Sequence, residues 1–199
     1  MKLILLLTLF VTGIFAKEVK VLAFSGSTRA NSYNQKLIEE AAKVAEKLGA
    51  KVTLIHLKDF PMPFYDGDLE ASEGMPQKAR ELRNLMIASD AIIIASPEYN
   101  RSVSGVLKNA LDWASRGEDG DASYAAFQGK AFAIMSASPG KKGGKRGLDH
   151  LRTILEDVKG VVVSQEVSIP RAYDYFSTSD RPENLSLRTE VQKLLTAKE

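Results

Sequence analysis

The residues best equipped for chemistry fall in three short stretches. The first, SGSTRANSYN (Ser25–Asn34), combines a glycine for a tight turn, serine and threonine hydroxyls, and Arg29, and it runs into a segment with helical periodicity. A helix N-terminus carries unpaired backbone N–H groups and the positive end of the helix dipole, so a monophosphate is its natural guest. Ser32 and Gln35 also have the spacing of a capping box. A plain helix cap with a solvated Arg29 therefore explains the same residues, and the sequence alone does not choose between the two readings. Neither the GxxxxGK[ST] spacing of a Walker A loop nor the GxGxxG dinucleotide fingerprint is present.

The second stretch is SPEYN (Ser96–Asn100), followed by RSVSGVLKNALDW. Its backbone polar groups, held by Pro97, and the aromatic face of Tyr99 suit a planar heterocycle that needs its edges bonded and one face covered. A proline turn leading into an amphipathic helix accounts for Pro97 equally well, without calling on Tyr99 and Asn100. The third stretch is SASPGKKGGKR (Ser136–Arg146). Glycines at 140, 143 and 144 permit close backbone approach to a ligand, and Lys141, Lys142, Lys145 and Arg146 offer charge to steer a phosphate or simply to be solvated.

Other chemistries are excluded or unsupported. The chain has no cysteine, which removes disulfides, thiol catalysis and thiolate metal sites. His56 and His150 are its only histidines and lack metal-ligand spacing, so no metal site is expected. A formal charge of +2 over 199 residues gives no reason to expect nucleic-acid binding. No side chain is assigned as a catalytic acid or base.

Elements that could position these stretches follow from hydrophobic periodicity. Val19–Phe24 reads as a strand, and Leu37, Ala41, Val44 and Leu48 share one face of the helix behind it, which Gly49 is placed to end. Lys51–Leu57 alternates as a second strand. A long proline-containing loop, Lys58–Pro76, precedes a helix over Gln77–Ala88. Ala91–Ser96 and Gly129–Ser138 read as buried strands, with a helix over Gly105–Ser115 between them. A further helix over Leu148–Val158 and a fifth strand, Val161–Val167, precede a polar, weakly helical tail. Five short strands alternating with helices predict an α/β fold with a parallel sheet covered on both faces. Right-handed crossovers favour the flavodoxin-like order 2-1-3-4-5. In that order the carboxyl ends of strands one, three and four border one crevice, and the three stretches are the loops at those ends.

The N-terminus, MKLILLLTLFVTGIFAKE, has the layout of a secretory signal peptide: Lys2, an apolar run, then small residues up to Ala16. Residues 1–16 are expected to be removed, leaving one domain over residues 17–199 that is periplasmic or secreted. The position two before Ala16 is Ile14 rather than a small residue, so a retained, cytoplasmic N-terminus is the alternative. The apolar run is shorter than the ~20 residues a membrane-spanning helix needs, and no stable insertion is expected after cleavage.

At these residues the chain resembles the NADPH-dependent FMN reductase family, in its branch of quinone and chromate reductases. GSTRANSYN matches the family's GSxRxxSxN, SPEYNRSVSGVLKNALDW its PEYNxSxPGxLKNAIDW, PMPFYDGD its PxYDxD-like loop, and SPGKKGG its glycine-rich loop after strand four. The resemblance spans about Val19 to Ser168. It implies non-covalently bound FMN, with Ser27, Arg29, Ser32 and Asn34 at phosphate-binding positions and Pro97, Glu98, Tyr99 and Asn100 along the isoalloxazine. It also implies that Ser138, Gly140 and Gly143 lie in the second loop beside the ring. In similar proteins the FYDGD loop helps to complete a neighbouring subunit's site, which implies a homodimer or homotetramer. The family's usual proline before the glycine of the second motif is Ser104 here. The implied function is an FMN-dependent oxidoreductase that takes hydride from NADPH or NADH and reduces a quinone-like or other small acceptor, or flavin. The rival is a flavodoxin-type FMN electron carrier without nicotinamide turnover, and the near balance of acids and bases argues against it.

Overall fold

The computed structural model describes residues 18–118, 120, 122–163, 165–178 and 184–197, so the expected leader, residues 1–16, lies outside the described residues. The chain runs β1 (Lys20–Ser25), α1 (Tyr33–Lys47), β2 (Lys51–His56), α2 (Gly67–Glu73), α3 (Gln77–Ala88), β3 (Ala91–Ala95) and α4 (Gly105–Ala114). It continues with β4 (Ala131–Ala137), α5 (Lys145–Asp157), β5 (Val161–Val162), β6 (Val167–Ile169), α6 (Ala172–Ser177) and α7 (Leu185–Thr196). All strand pairings are parallel, and the order is β2-β1-β3-β4-β5, with β6 also on β4. This is the expected flavodoxin-like order.

The central strands form because they are apolar on both faces, as a doubly covered parallel sheet requires. Every residue of β3 and β4 is buried. Alternation then sorts the side chains. Val21, Ala23, Ala91, Ile93, Ala133 and Met135 face one core with Leu37, Ile38 and Ala41 of α1 and Leu187, Val191 and Leu194 of α7. Leu22, Phe24, Ile92, Ile94, Phe132 and Ile134 face the other, against α3, α4 and α5. The α1 face is rich in alanine and the opposite face in large residues, so the two layers are filled by different means. Each fully buried large side chain contributes about 1.5–3 kcal/mol relative to exposure.

Two expectations are corrected and one is kept. The fifth strand is not one run over Val161–Val167. Phe132 pairs with Val162 and Met135 with Val167, so the edge strand carries two more residues than β4 between these pairs. This is a bulge, and it divides the run into β5 and β6. The loop over Lys58–Pro76 contains α2, started by Asp66, whose carboxylate accepts from the N–H groups of Asp68 and Leu69 at 2.8 and 3.4 Å. Within the tail, the helix read from the sequence is α7, which buries Leu187, Val191 and Leu194 against α1.

Candidate functional site

The loops after β1, β3 and β4 meet at one edge of the sheet and are tied to one another. The N–H of Gly26 donates to the carbonyl of Ala95 at 2.8 Å, and the N–H of Ser96 to the carbonyl of Met135 at 2.8 Å. Neighbouring loops therefore begin from a shared hydrogen-bond ladder.

The loop after β1 is built by its own hydroxyls. The N–H of Ser27 donates to Ser25 Oγ at 3.2 Å, and the N–H of Arg29 to Ser27 Oγ at 3.3 Å. Ser32 is the N-cap of α1, its Oγ accepting from the N–H groups of Asn34 and Gln35 at 3.2 and 3.4 Å. The expected capping box forms only in half, because the Gln35 side chain donates instead to Glu39 at 3.2 Å. The backbone N–H groups of Thr28, Ala30 and Asn31 reach no acceptor among the described residues, and the first turn of α1 holds no acidic residue. Arg29 is exposed and carries no side-chain bond among the described residues. Unpaired donors, an aligned helix dipole and a free guanidinium together suit a dianionic phosphate.

Asn34 stands apart from that donor set. Its Nδ2 donates to the carbonyl of Ala137 at 2.9 Å and its Oδ1 accepts from the N–H of Ala137 at 2.9 Å. The amide is committed to the end of β4, so it holds the start of α1 against the loop after that strand.

In the loop after β3, Pro97 is buried and Glu98 half-buried. Tyr99 and Ser102 exchange backbone bonds of 2.9 and 3.0 Å, and Asn100 and Arg101 between them have φ of 52° and 68°. This is a tight two-residue hairpin, in which Asn tolerates the left-handed backbone better than most residues. Tyr99, at the hairpin's base, is 45% exposed. Ser102 Oγ lies 3.1 Å from His150 Nδ1 on α5. Ser104 is almost fully buried and caps α4, accepting from the N–H of Leu107 at 3.2 Å and donating to the carbonyl of Gly26 at 2.6 Å.

In the loop after β4, Ser138 Oγ accepts from the N–H of Gly140 at 3.2 Å, and the Gly140 carbonyl accepts from the N–H of Arg171 at 3.2 Å. Gly143 and Gly144 have φ of 57° and 87°. A Cβ on Gly143 would come within 2.7 Å of the Pro170 nitrogen, and one on Gly144 would run into Ser136, so only glycine fits either position. Ser136 Oγ is buried under Gly144 with no hydrogen-bond partner among the described residues. Lys145 faces Asp149 and Glu166 at 3.9 and 3.8 Å, while Lys141, Lys142 and Arg146 carry no ion pair among the described residues. The carboxylate of Glu98 reaches the N–H of Gly147 at 3.1 Å.

The FYDGD segment is fastened to α4. Asn109 accepts from the N–H of Tyr65 at 2.8 Å and donates to the carbonyl of Pro63 at 2.9 Å, which also receives Trp113 Nε1 at 2.9 Å. Tyr65 stacks edge-on against Trp113 and donates its hydroxyl to Glu70 at 2.9 Å; Arg116 donates to the same carboxylate at 3.0 Å. The Arg116 hydrogen bond holds the Glu70 carboxyl below the usual carboxylate range. The Glu70 hydrogen bond raises the Tyr65 hydroxyl above its ordinary value. Phe64 is 81% exposed beside this network. A cavity of about 340 Å³, lined by Thr28, Leu57, Phe60, Met62, Val106 and Ala110 among others, lies between this region and the loop after β1.

The structure thus brings Ser27, Arg29 and Ser32 into one loop, Pro97, Glu98, Tyr99 and Asn100 into the next, and Ser138, Gly140 and Gly143 into the third. Sequence reasoning named Ser104 and Ser136 but gave neither a role in the site. The exchange of proline for a polar residue was the available sign for Ser104; Ser136 had none, because it reads as an ordinary strand residue. The residues present fit a phosphate-bearing planar cofactor, since the donors after β1 are unpaired and the glycines after β4 leave no side chain in the way.

A family model described as NADPH-dependent FMN reductase matches residues 19–174. A protein named as an NAD(P)H-dependent FMN reductase from Pseudomonas aeruginosa is 36% identical over 181 residues, 90% of this chain and 93% of that one. A quinone reductase of Escherichia coli is 33% identical over 150 residues, 75% of this chain and 76% of its own. Among solved structures, a flavoenzyme NAD(P)H:(acceptor) oxidoreductase from Paracoccus denitrificans matches with a TM-score of 0.73 at 28% identity, covering 89% of this chain and 96% of that one.

Proposed function

The chain belongs to the NADPH-dependent FMN reductase family and is an FMN-dependent oxidoreductase using reduced nicotinamide, and on that premise we propose that it reduces a small quinone-like acceptor. FMN held in the candidate site would supply the hydride-accepting and electron-passing chemistry. This chain's residues bind and orient: the N–H groups of Thr28, Ala30 and Asn31, with Arg29, take the phosphate, and the hairpin Tyr99–Ser102 and the loop Ser138–Gly144 border the ring. The carrying observation is that the three loops converge and are cross-bonded at the strand ends. The half-exposed Tyr99 supports a ring site open to exchange of donor and acceptor from one side. The test is a visible spectrum of the purified chain, followed by NADPH or NADH oxidation with a quinone, free flavin or neither. A protein that FMN cannot reconstitute defeats the site assignment, and one that reduces free flavin but no quinone defeats the acceptor assignment.

Two further readings belong with this proposal. The chain self-associates through the FYDGD region, supported by the exposed Phe64 on a segment rigidly held to α4; sedimentation of the wild type and of Phe64→Asp tests it, and a monomeric wild type overturns it. Residues 1–16 act as an export leader, supported by the apolar run of the N-terminus. The mature chain then begins at Lys17, and intact Met1 on protein recovered from cells overturns that reading.

A further inference from the structure

We propose that Ser104 is a positioning residue for the cofactor phosphate. Its hydroxyl locks the first residue of the phosphate loop to the N-terminus of α4, a connection that a proline at this position could not make. The inference rests on the reading that the N–H groups of Thr28, Ala30 and Asn31 hold the phosphate of FMN.

A serine hydroxyl has a single proton. That of Ser104 goes to the Gly26 carbonyl at 2.6 Å, and its oxygen receives the N–H of Leu107 at 3.2 Å. Ser104 is 2% exposed, so neither bond faces competition from bulk water, and the hydroxyl is held at both ends. Gly26 is confined on its other sides as well. Its N–H donates to Ala95 at 2.8 Å, and a Cβ there would meet the Leu107 side chain at 2.8 Å. Gly26 is therefore wedged between the end of β3 and the first turn of α4. The unpaired donors begin two residues further on, at Thr28.

The backbone separates what serine adds from what the position requires. Ser104 has φ −69° and ψ 148°, within the range proline imposes, and its own N–H makes no hydrogen bond among the described residues. A proline would follow the same path and remove the bonds to Gly26 and Leu107. The serine thus converts a passive helix start into a strut between the two loops that hold opposite ends of the cofactor. Hydrogen bonds weaken steeply with misalignment, so a shift of Gly26 carried to the donors beyond it falls on the phosphate and not on the ring.

The test compares FMN with riboflavin, which lacks the phosphate, by fluorescence titration of the full flavin-free chain. Variants are Ser104→Pro, Ser104→Ala and Ser104→Thr, each with its thermal midpoint. The wild type should prefer FMN. Ser104→Pro and Ser104→Ala should lose about fivefold in FMN affinity, the equivalent of one ordinary hydrogen bond, with riboflavin affinity unchanged, and Ser104→Thr should restore the preference. A cap with only a structural role would lower the midpoint and leave the ratio of the two affinities as it was, and that result overturns the proposal. Should Ser104→Ala fail to fold, Ser104→Pro decides alone, because its ring suits the observed φ. A wild type that binds FMN no better than riboflavin overturns the phosphate-loop reading itself, and this inference falls with it.

Discussion

The Glu98 carboxylate accepts a hydrogen bond from the backbone N–H of Gly147 at 3.1 Å, which makes the loop after β3 and the first turn of α5 a single unit. A Cβ on Gly147 would lie 3.2 Å from the Glu98 Cβ, so the contact is also tight. Glu98→Ala should loosen both borders of the ring site and weaken FMN binding about fivefold, the equivalent of about 1 kcal/mol. Glu98→Gln keeps an acceptor in place and should bind within about twofold of wild type by the same reasoning. Titration of the two variants with FMN checks this.

Arg29→Ala should weaken FMN binding and leave riboflavin binding unchanged, because the exposed guanidinium has no side-chain partner among the described residues and acts through the phosphate. The decrease should shrink as salt is added, since an exposed charge is screened. Equal losses for both flavins would remove Arg29 from the phosphate site.

Gly144→Ala should destabilise the chain by about 3 kcal/mol or abolish folding, as left-handed strain and overpacking each cost about 1–3 kcal/mol. The new methyl would meet both an unfavourable φ of 87° and the buried Ser136. Gly49 supplies the control: its φ is 91° but nothing lies within 4 Å of a Cβ there, so Gly49→Ala should cost only about 1–2 kcal/mol. Thermal unfolding of both variants separates strain from crowding.

The Tyr65–Glu70–Arg116 network gives stability an acid dependence. Glu70 is held below its ordinary value chiefly by the Arg116 hydrogen bond. A depressed carboxylate contributes stability that is present above its unfolded pKa and is lost as pH falls through the lower, folded value. The decline should therefore lie on the acid side of the ordinary carboxylate range. Glu70→Gln should be less stable than wild type near neutral pH and should flatten this part of the curve. Denaturant unfolding between neutral and acid pH measures the difference.

Much of the architecture was legible because the central strands announce themselves. Ala91–Ala95 is apolar throughout, as only a strand covered on both faces can be, and topology then brings three loops to one crevice. What was hidden depends on contacts distant in sequence or on local geometry that leaves no pattern. The run VVVSQEV reads as one strand because its composition does not reveal two surplus residues facing β4. Asp66 looked like part of a loop motif, and its capping of α2 required the helix behind it to be recognised first. Gln35 had the spacing of a capping box, but Glu39 one turn later offered a competing acceptor. In the site, the types and loops of the candidate residues were readable. The partners of Asn34, Glu98 and Ser104 were not, since each reaches across the fold to another element.

The Asn34 amide has a consequence for how the molecule assembles. Its two bonds to Ala137 span 103 residues of chain and reproduce the donor–acceptor pair that a neighbouring strand would offer. Closing so long a loop is entropically costly and slow compared with forming local turns. The start of α1, behind the phosphate loop, thus gains this tie only after the fourth strand has docked, and the N-terminal half alone cannot hold a finished cofactor cradle. Cofactor capture should therefore follow docking of the fourth strand, and a fragment ending before Ala137 should remain colourless.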